Sequence, residues 1–386
     1  MIVSYLKIFL RKVLRLLIRV LFLFPLKKNR ILFESFQGRQ FADNPREVYR
    51  FLRREYADKF EYVCSLTDPS ALREDEGIRA VRYKSLQWFI CQATSAVIVS
   101  NTLPITIFPK RRGQLFIETW HGGGAYKTLA VDFRGYSPAR QVMVRWNNTL
   151  LCDKIDVFLS SSEGFTQAGI VQPYGYSGTI ANTGMPRNDL FFSPDRVKAA
   201  EEKVRQRYRL TGTVILYAPT WRGTDFQNTK RVGALPDLER ILSQFPDASI
   251  LFRRHYADRN RYEFNRRVID AAEYPDMQEL LCASDVLITD YSSSIWDYAL
   301  LGRPCLLYVP DLYEYEEIEH GFCTPIDSWP GTVCTDMDEL CLALKNMDPQ
   351  AHQKRAEEHL RALTSYENGT ACRQTADLII NHIETI

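Results

Sequence analysis

Several things are scarce or missing in this 386-residue chain. The nine cysteines (Cys64, Cys91, Cys152, Cys282, Cys305, Cys323, Cys334, Cys341, Cys372) contain no Cys-x-x-Cys pair. An odd, scattered set, partly inside apolar runs, argues for free thiols in a reducing compartment and against a disulfide framework. No His/Cys cluster has the spacing of a zinc site. There is no G-x-G-x-x-G, which removes the dinucleotide fingerprint. The formal net charge is only +2, which gives no general nucleic-acid signal. Acid is absent from Met1 to Leu26, and no apolar run there reaches the roughly 20 uncharged residues of a membrane span. The same stretch lacks the small-residue cleavage site of a secretory signal.

What that segment does contain is a pattern. Lys7, Arg11, Arg15 and Arg19 recur every fourth residue, with Lys12 beside them, opposite Leu6, Leu10, Leu14, Leu17 and Leu21. On a helix this is a basic stripe facing a leucine stripe. The expectation is monotopic attachment of residues 1–28 to an anionic membrane surface, basic face toward lipid.

The whole chain is too long for one ordinary core. Its 45% hydrophobic and 25% charged content is that of a globular protein. Apolar runs at 31–35, 62–66, 96–100, 115–118, 157–160 and 179–182 alternate with helix-length segments. Runs at 214–218, 248–252, 286–288 and 305–309 do the same. This implies an α/β chain of two domains with parallel sheets, 29–192 and 193–386, the last helix packing back on the first.

The stretch from Asp285 to Pro310 reads as strand, polar turn, helix, strand, with Gly302 as the C-cap and Pro304 preventing continuation. Ser292 and Ser293 follow Asp290 at the helix start, where orphan N–H groups favour phosphate; the competing reading is plain capping. In the first domain, a strand ends at Thr119, and His121 sits where it meets a loop of Gly122, Gly123 and Gly124, with Lys127 following as a mobile cation. Strand carboxyl ends are where open α/β sheets bind ligands. Ser160–Glu163 and Asn182–Asp189 follow two further strands; the second stretch reads equally well as turn formers. In the second domain Thr220 and Arg222 follow one strand, and Arg253, Arg254 and His255 follow another in an anion-facing cluster. The other histidines have no assigned role.

Taken together, Trp120-His-Gly, Thr183-Gly-Met-Pro-Arg-Asn-Asp, Tyr217-Ala-Pro-Thr-Trp-Arg, Arg253-Arg-His and Thr289-Asp-Tyr-Ser-Ser, with Asp297-Tyr-Ala and Arg303-Pro, resemble the CDP-glycerol glycerophosphotransferase family. The resemblance runs from about Phe33 to Glu316. It implies a GT-B-like fold of two Rossmann-like domains with a central cleft and no essential metal. It also implies a bacterial enzyme peripheral to the cytoplasmic face of the membrane, passing polyol phosphate from a CDP-polyol to a lipid-linked glycan or surface-polymer acceptor. His121 and His255 fall on the family's two catalytic histidines. Thr220, Arg222, Arg253, Asp290, Ser292 and Ser293 fall on the donor side, and Glu118 or Glu163 is left to orient His121. Two departures, Gly123-Gly-Ala-Tyr after the Trp-His-Gly and Tyr256 after the second histidine, bear on substrate identity. Two other readings stay open: a GT-B glycosyltransferase using a nucleotide sugar, and a non-catalytic membrane-bound nucleotide- or glycan-binding module.

Overall fold

A computed structural model of the protein describes residues 2–72, 76–124, 126–128, 137–222, 230–232, 235–254, 262, 265–319 and 321–386. The chain forms two compact units. The first takes the described residues within 1–121, 130–189 and 366–386, and the second those within 122–129 and 190–365. Both are α/β, built on parallel sheets. Residues 366–386, which the sequence places in the second domain, belong to the first unit, and the loop after His121 belongs to the second.

The first unit holds seven strands: β1 (Lys27–Glu34), β2 (Glu61–Leu66), β3 (Arg79–Arg82), β4 (Ser95–Ser100), β5 (Leu115–Glu118), β6 (Val157–Leu159) and β7 (Thr179–Ala181). Their spatial order is β3-β2-β1-β4-β5-β6-β7, all parallel. The order reverses between β1 and β4, which opens a crevice at the carboxyl ends of those strands. Helix α1 spans Ile2–Ile18, α2 Asp43–Tyr56, α3 Leu86–Thr94 and α4 Pro138–Lys154. Ile31, Phe33, Val97, Val99 and Ile117 bury one sheet face against Val48, Tyr49 and Leu52 of α2. Ala376 and Ile379 of the C-terminal helix Ala371–Thr385 complete that layer. Full burial of such a side chain contributes about 1.5–3 kcal/mol.

The second unit holds a six-stranded sheet of β8 (Val214–Tyr217), β11 (Ser249–Phe252), β12 (Val268–Asp270), β13 (Val286–Thr289), β14 (Cys305–Tyr308) and β15 (Thr332–Cys334), beside a two-stranded ribbon of β9 (Trp221–Arg222) and β10 (Lys230–Val232). The sheet order β12-β11-β8-β13-β14-β15 reverses between β8 and β13. Alternation along each strand divides the core. Val214, Leu216, Leu251, Leu287 and Leu307 enter one layer. Ile215, Tyr217, Ile250, Phe252, Ile288 and Leu306 enter the other. Burial on both faces explains why these strands read as continuous apolar runs. The edge strands β3, β12 and β15 escaped the sequence reading because each is short and carries a polar residue.

The N-terminal helix corrects one expectation. Arg11 donates to the Asn147 side chain at 3.0 Å and lies over the Trp146 ring, while Arg15 donates to the Thr106 carbonyl. Ile8 of the same helix is buried. These arginines therefore hold α1 to the protein, and the apolar side faces out: Leu10 is 56% exposed, Leu17 62% and Leu23 85%. The reason is that α4 and the Thr106 loop offer a guanidinium acceptors and a ring face, which leucine could not use. No helix among the described residues is long and apolar enough to cross a membrane.

The C-terminal helix is secured by a distant acid. Asp189 accepts from the backbone N–H groups of Ala371 (2.9 Å) and Cys372 (2.8 Å), capping a helix whose own Thr370 makes no side-chain cap. Asp189→Ala is expected to lower stability by about 1–2 kcal/mol, measured by urea unfolding.

Candidate active site

The first unit's crevice is built from the ends of β1, β4 and β5 and the start of α2. Phe36, Gln37, Asp43 and Trp120 lie there with φ between 49° and 62°, four of the eight non-glycine residues in the left-handed region among those described. Such backbone costs of order 1 kcal/mol or more per residue and persists where the surroundings over-determine it. Asn44 and Asn101 do that here. Asn101 accepts the Phe36 N–H on its Oδ1 at 2.8 Å. Asn44 donates to the carbonyls of Thr119 (3.3 Å) and Trp120 (2.9 Å) and accepts the Arg187 N–H at 3.0 Å. Arg187 in turn grips both oxygens of Asp43 at 3.0 and 3.2 Å. The Thr183–Asp189 stretch, equally readable as turn formers, is thus a clamp on this crevice.

His121, the candidate base, lies at this crevice. Its Nδ1 lies 2.8 Å from the Asn101 carbonyl, which can only accept, so Nδ1 carries the proton and Nε2 keeps its lone pair. Phe36 meets the imidazole edge-on at 5.8 Å, and Trp120 lies 4.6 Å from it. Burial holds the imidazole below its ordinary 6.5, opposed by the Asn101 carbonyl and Asp43 and assisted by Arg187. The ring is therefore a neutral base at physiological pH.

Neither candidate carboxylate orients it. Glu163 is exposed, accepting from Gln167 and from the Tyr366 hydroxyl at 2.7 Å. Glu118 is fully buried; its Oε1 accepts the Trp120 N–H at 3.0 Å, and its Oε2 has no partner among the described residues. Burial drives the Glu118 carboxyl well above its usual range, the Trp120 N–H opposing and Glu34 assisting, so it is a neutral acid that supports the residue before His121. A backbone carbonyl does the orienting, and no side-chain pattern could have revealed it.

The second unit's crevice lies at the ends of β8 and β13. Asp290 accepts the Thr220 N–H at 2.9 and 3.1 Å and the Arg222 Nη1–H at 2.8 Å. Arg222 also donates to Asp311 from Nε (2.5 Å) and Nη2 (3.1 Å) and to Thr220 from Nη1. Its guanidinium lies over the rings of Tyr291 (4.9 Å) and Tyr315 (5.1 Å), which stack at 3.7 Å. Burial opposes the Arg222 charge, but Asp290 and Asp311 outweigh it and raise its pKa. Arg222 was read from the sequence as a cation offered to phosphate. It is instead a clamp that holds Asp290 beneath the serine turn, because its donors already serve two carboxylates. Thr220 and Asp290 are likewise engaged. Ser292 and Ser293 remain partly exposed at the start of the helix Ser294–Ala299; Ser292 accepts from Ser294 at 2.9 Å, and the Ser293 side chain makes no cap bond. One strand over, Arg253 donates to the carbonyls of Ala271 and Ala272. His255 lies outside the described residues.

The loop after His121 is also packed more tightly than its glycines suggest. A Cβ on Gly123 would stand 2.1 Å from the Trp296 ring, so this glycine serves close packing. Gly122 is buried. Lys127, read as mobile, is held: its backbone bridges Phe322 and its ammonium lies 5.4 Å over the Tyr315 ring. Among the described residues no three His, Cys, Asp or Glu side chains gather as a metal site.

Residues 16–381 match the profile of the family described as CDP-Glycerol:Poly(glycerophosphate) glycerophosphotransferase. The chain belongs to this family. A teichoic acid poly(glycerol phosphate) polymerase of Bacillus spizizenii (strain ATCC 23059 / NRRL B-14472 / W23) is 32% identical over 327 residues, 81% of this chain and 81% of the relative. The protein of the same description from Bacillus subtilis (strain 168) is 30% identical over 336 residues, and the match takes in 84% of this chain but only 44% of that protein. A solved structure of the wall teichoic acid polymerase TagF, a His-to-Asn variant soaked with CDPG, is similar with a TM-score of 0.84 at 26% identity, covering 100% of this chain and 99% of that one. The two parallel-sheet units are thus those of a glycerophosphotransferase-family protein.

Within this family member, Glu118 offers a clean test. Because the acid is neutral, Glu118→Gln is expected to preserve stability. Glu118→Ala leaves the Trp120 N–H without its acceptor and is expected to cost about 1–3 kcal/mol. Urea unfolding of the two variants measures the difference.

Proposed function

We propose that the protein transfers glycerol phosphate from CDP-glycerol to a hydroxyl of a membrane-linked acceptor, releasing CMP, in the synthesis of a teichoic-acid-type surface polymer. The observation that carries this reading is the His121 imidazole, fixed by the Asn101 carbonyl with Nε2 left basic. The acceptor hydroxyl attacks the β-phosphorus as Nε2 takes its proton. A new O–P bond forms, the pyrophosphate P–O bond breaks, and CMP leaves with the electron pair. Phosphoryl transfer mainly needs positioning and charge neutralisation. In this reading the Ser292 and Ser293 hydroxyls and the N–H groups of that first turn hold donor phosphate. Arg222, Asp290 and Thr220 keep the turn in shape, and Arg253 adds positive charge nearby. His255 is assigned its role by the family resemblance alone. The preference for glycerol over another polyol is supported by the Bacillus spizizenii relative, whose name specifies glycerol phosphate.

The two units carry a GT-B-like label in this reading, supported by their strand orders. The protein binds the cytoplasmic membrane face peripherally, through the outward apolar side of α1, with Lys7, Lys12 and Arg19 also exposed for anionic headgroups.

His121→Ala is expected to lower turnover by about 10²- to 10⁴-fold, followed as CMP release from CDP-glycerol with a lipid-linked acceptor. Mass spectrometry of the product separates this reaction from sugar transfer, since only polyol-phosphate transfer adds phosphorus. The base works unprotonated and burial disfavours its protonated form. Activity should therefore be full at neutral pH and fall only below pH 6.5, the ordinary imidazole value; a pH–rate limb above that value contradicts the assignment. Leu10→Glu with Leu17→Glu is expected to weaken sedimentation with anionic vesicles by about tenfold or more, since each leucine withheld from the bilayer forfeits about 1.5–3 kcal/mol. Binding unchanged by the pair would remove the α1 anchor.

A further inference from the structure

One buried histidine has no part in the reaction described above: His359, on the helix Pro349–Ala362 of the second unit. It is 6% exposed, and both of its ring nitrogens are engaged. Nδ1 lies 2.9 Å from the Ser328 carbonyl, which can only accept, so Nδ1 carries the proton. Nε2 lies 3.0 Å from the Tyr126 hydroxyl, which therefore donates to it. Burial holds the His359 pKa below the ordinary 6.5, against the Ser328 carbonyl, so the ring is neutral. The result is a one-way chain of hydrogen bonds from Tyr126 through His359 to Ser328.

Tyr126 belongs to the loop that follows His121. That loop is part of the second unit, so a single peptide bond joins the candidate base to a segment seated there. Between His121 and Tyr126 the sequence offers only three glycines and an alanine. Glycine gives up more freedom on ordering than any other residue and has no side chain to anchor it. Two of these glycines instead clear space. A Cβ on Gly123 would stand 2.1 Å from the Trp296 ring, and one on Gly124 would stand 2.3 Å from the Tyr126 ring.

The first large anchor is therefore Tyr126. It is 2% exposed, with its ring 4.7 Å from that of Trp329 and 5.7 Å from that of His359. Beyond it the backbone is held as well. The Tyr126 carbonyl accepts the Cys323 N–H at 2.9 Å, and the Thr128 N–H donates to the Gly321 carbonyl at 3.2 Å. Trp296 faces His359 edge-on at 6.2 Å and lies on the helix Ser294–Ala299, which begins just after Ser292 and Ser293. His359 thus faces both the loop and the helix of the serine turn. An apolar pair of the same size would fill this space without burying two polar groups. What the hydrogen bond adds is direction, since burial is non-directional and a ring nitrogen accepts along one line.

We infer that His359 is a positioning residue for the transfer: through the Tyr126 hydroxyl it fixes the loop that starts at Gly122, and through that loop the His121 imidazole. The inference rests on His121 as the base of the proposed reaction. His359 itself takes no proton from substrate.

The test uses the full chain with Tyr126→Phe, His359→Asn and His359→Gln, at a temperature where melting curves show every variant folded. Tyr126→Phe keeps the ring and removes the donor. Asn can keep only the Ser328 bond, whereas Gln reaches the Nε2 position and can accept from Tyr126. In Tyr126→Phe and His359→Asn, kcat for CMP release from CDP-glycerol with a lipid-linked acceptor is expected to fall about ten- to a hundredfold. KM for CDP-glycerol should stay within about twofold of the parent value. His359→Gln is expected to recover most of the lost turnover. Histidine ring signals in NMR give a readout without turnover, that of His121 being assigned by its absence in His121→Ala. Its titration should move up toward 6.5 in Tyr126→Phe and His359→Asn, as the ring loses its shelter. Parent-like turnover and His121 titration in Tyr126→Phe, or losses that follow melting temperature alone, overturn the inference and leave the base standing. Full turnover by His121→Ala removes the base and this inference with it.

Discussion

A parallel sheet leaves its strand ends without a ladder, and the polar backbone there must find other partners or remain unsatisfied. Both crevices are answers to that constraint. In the first unit, Asn44, Asn101 and Glu118 accept from or donate to the backbone at the ends of β1, β4 and β5. In the second, Asp290 takes the Thr220 N–H across the point where the order of the strands reverses. The left-handed backbone at Phe36, Asp43 and Trp120 is held by these same bonds. His121 inherits its orientation from them, because the carbonyl that fixes its tautomer belongs to Asn101.

Charge is handled differently in the two units. The first keeps a buried carboxyl neutral, since Glu118 has a single N–H partner and no cation. The second keeps its buried charges ionised by pairing them, with Arg222 set between Asp290 and Asp311 and faced by two tyrosine rings. Removing one member of such a pair strands the other in low dielectric, which makes Arg222 a structural element more than a ligand. Ser292 and Ser293, at the turn that follows Asp290 and Tyr291, stay partly exposed.

Much of this was readable in the residues. The interior strands were legible because burial on both faces makes them unbroken apolar runs, and the Asp285–Pro310 unit was legible because turn, helix, Gly302 and Pro304 each carry a local signal. His121 stood out by its place before three glycines. The edge strands β3, β12 and β15 were not legible, since three or four residues with polar neighbours give too little periodicity. Nor were the roles of Asn44, Asn101 and Arg187, which act across the fold; Arg187 sits in the Thr183–Asp189 stretch, but that stretch read equally well as turn formers. Arg222 and Lys127 were misread for a related reason: sequence reports that a cation is present but not whether its charge is already spent on Asp311 or on the Tyr315 ring.

The order of residues by itself determined that the chain would build two α/β units on parallel sheets, place an imidazole and a serine turn at strand ends, and begin with a two-faced helix. Local pattern suffices for that, because strand burial, capping and helical spacing are set by near neighbours. Only the tertiary structure decided which face of α1 points outward, which nitrogen of His121 is basic, and which of the candidate cations has charge to spare. Those depend on partners tens to hundreds of residues away, such as Asn147 for Arg11 and Asp311 for Arg222, and no spacing rule reaches that far.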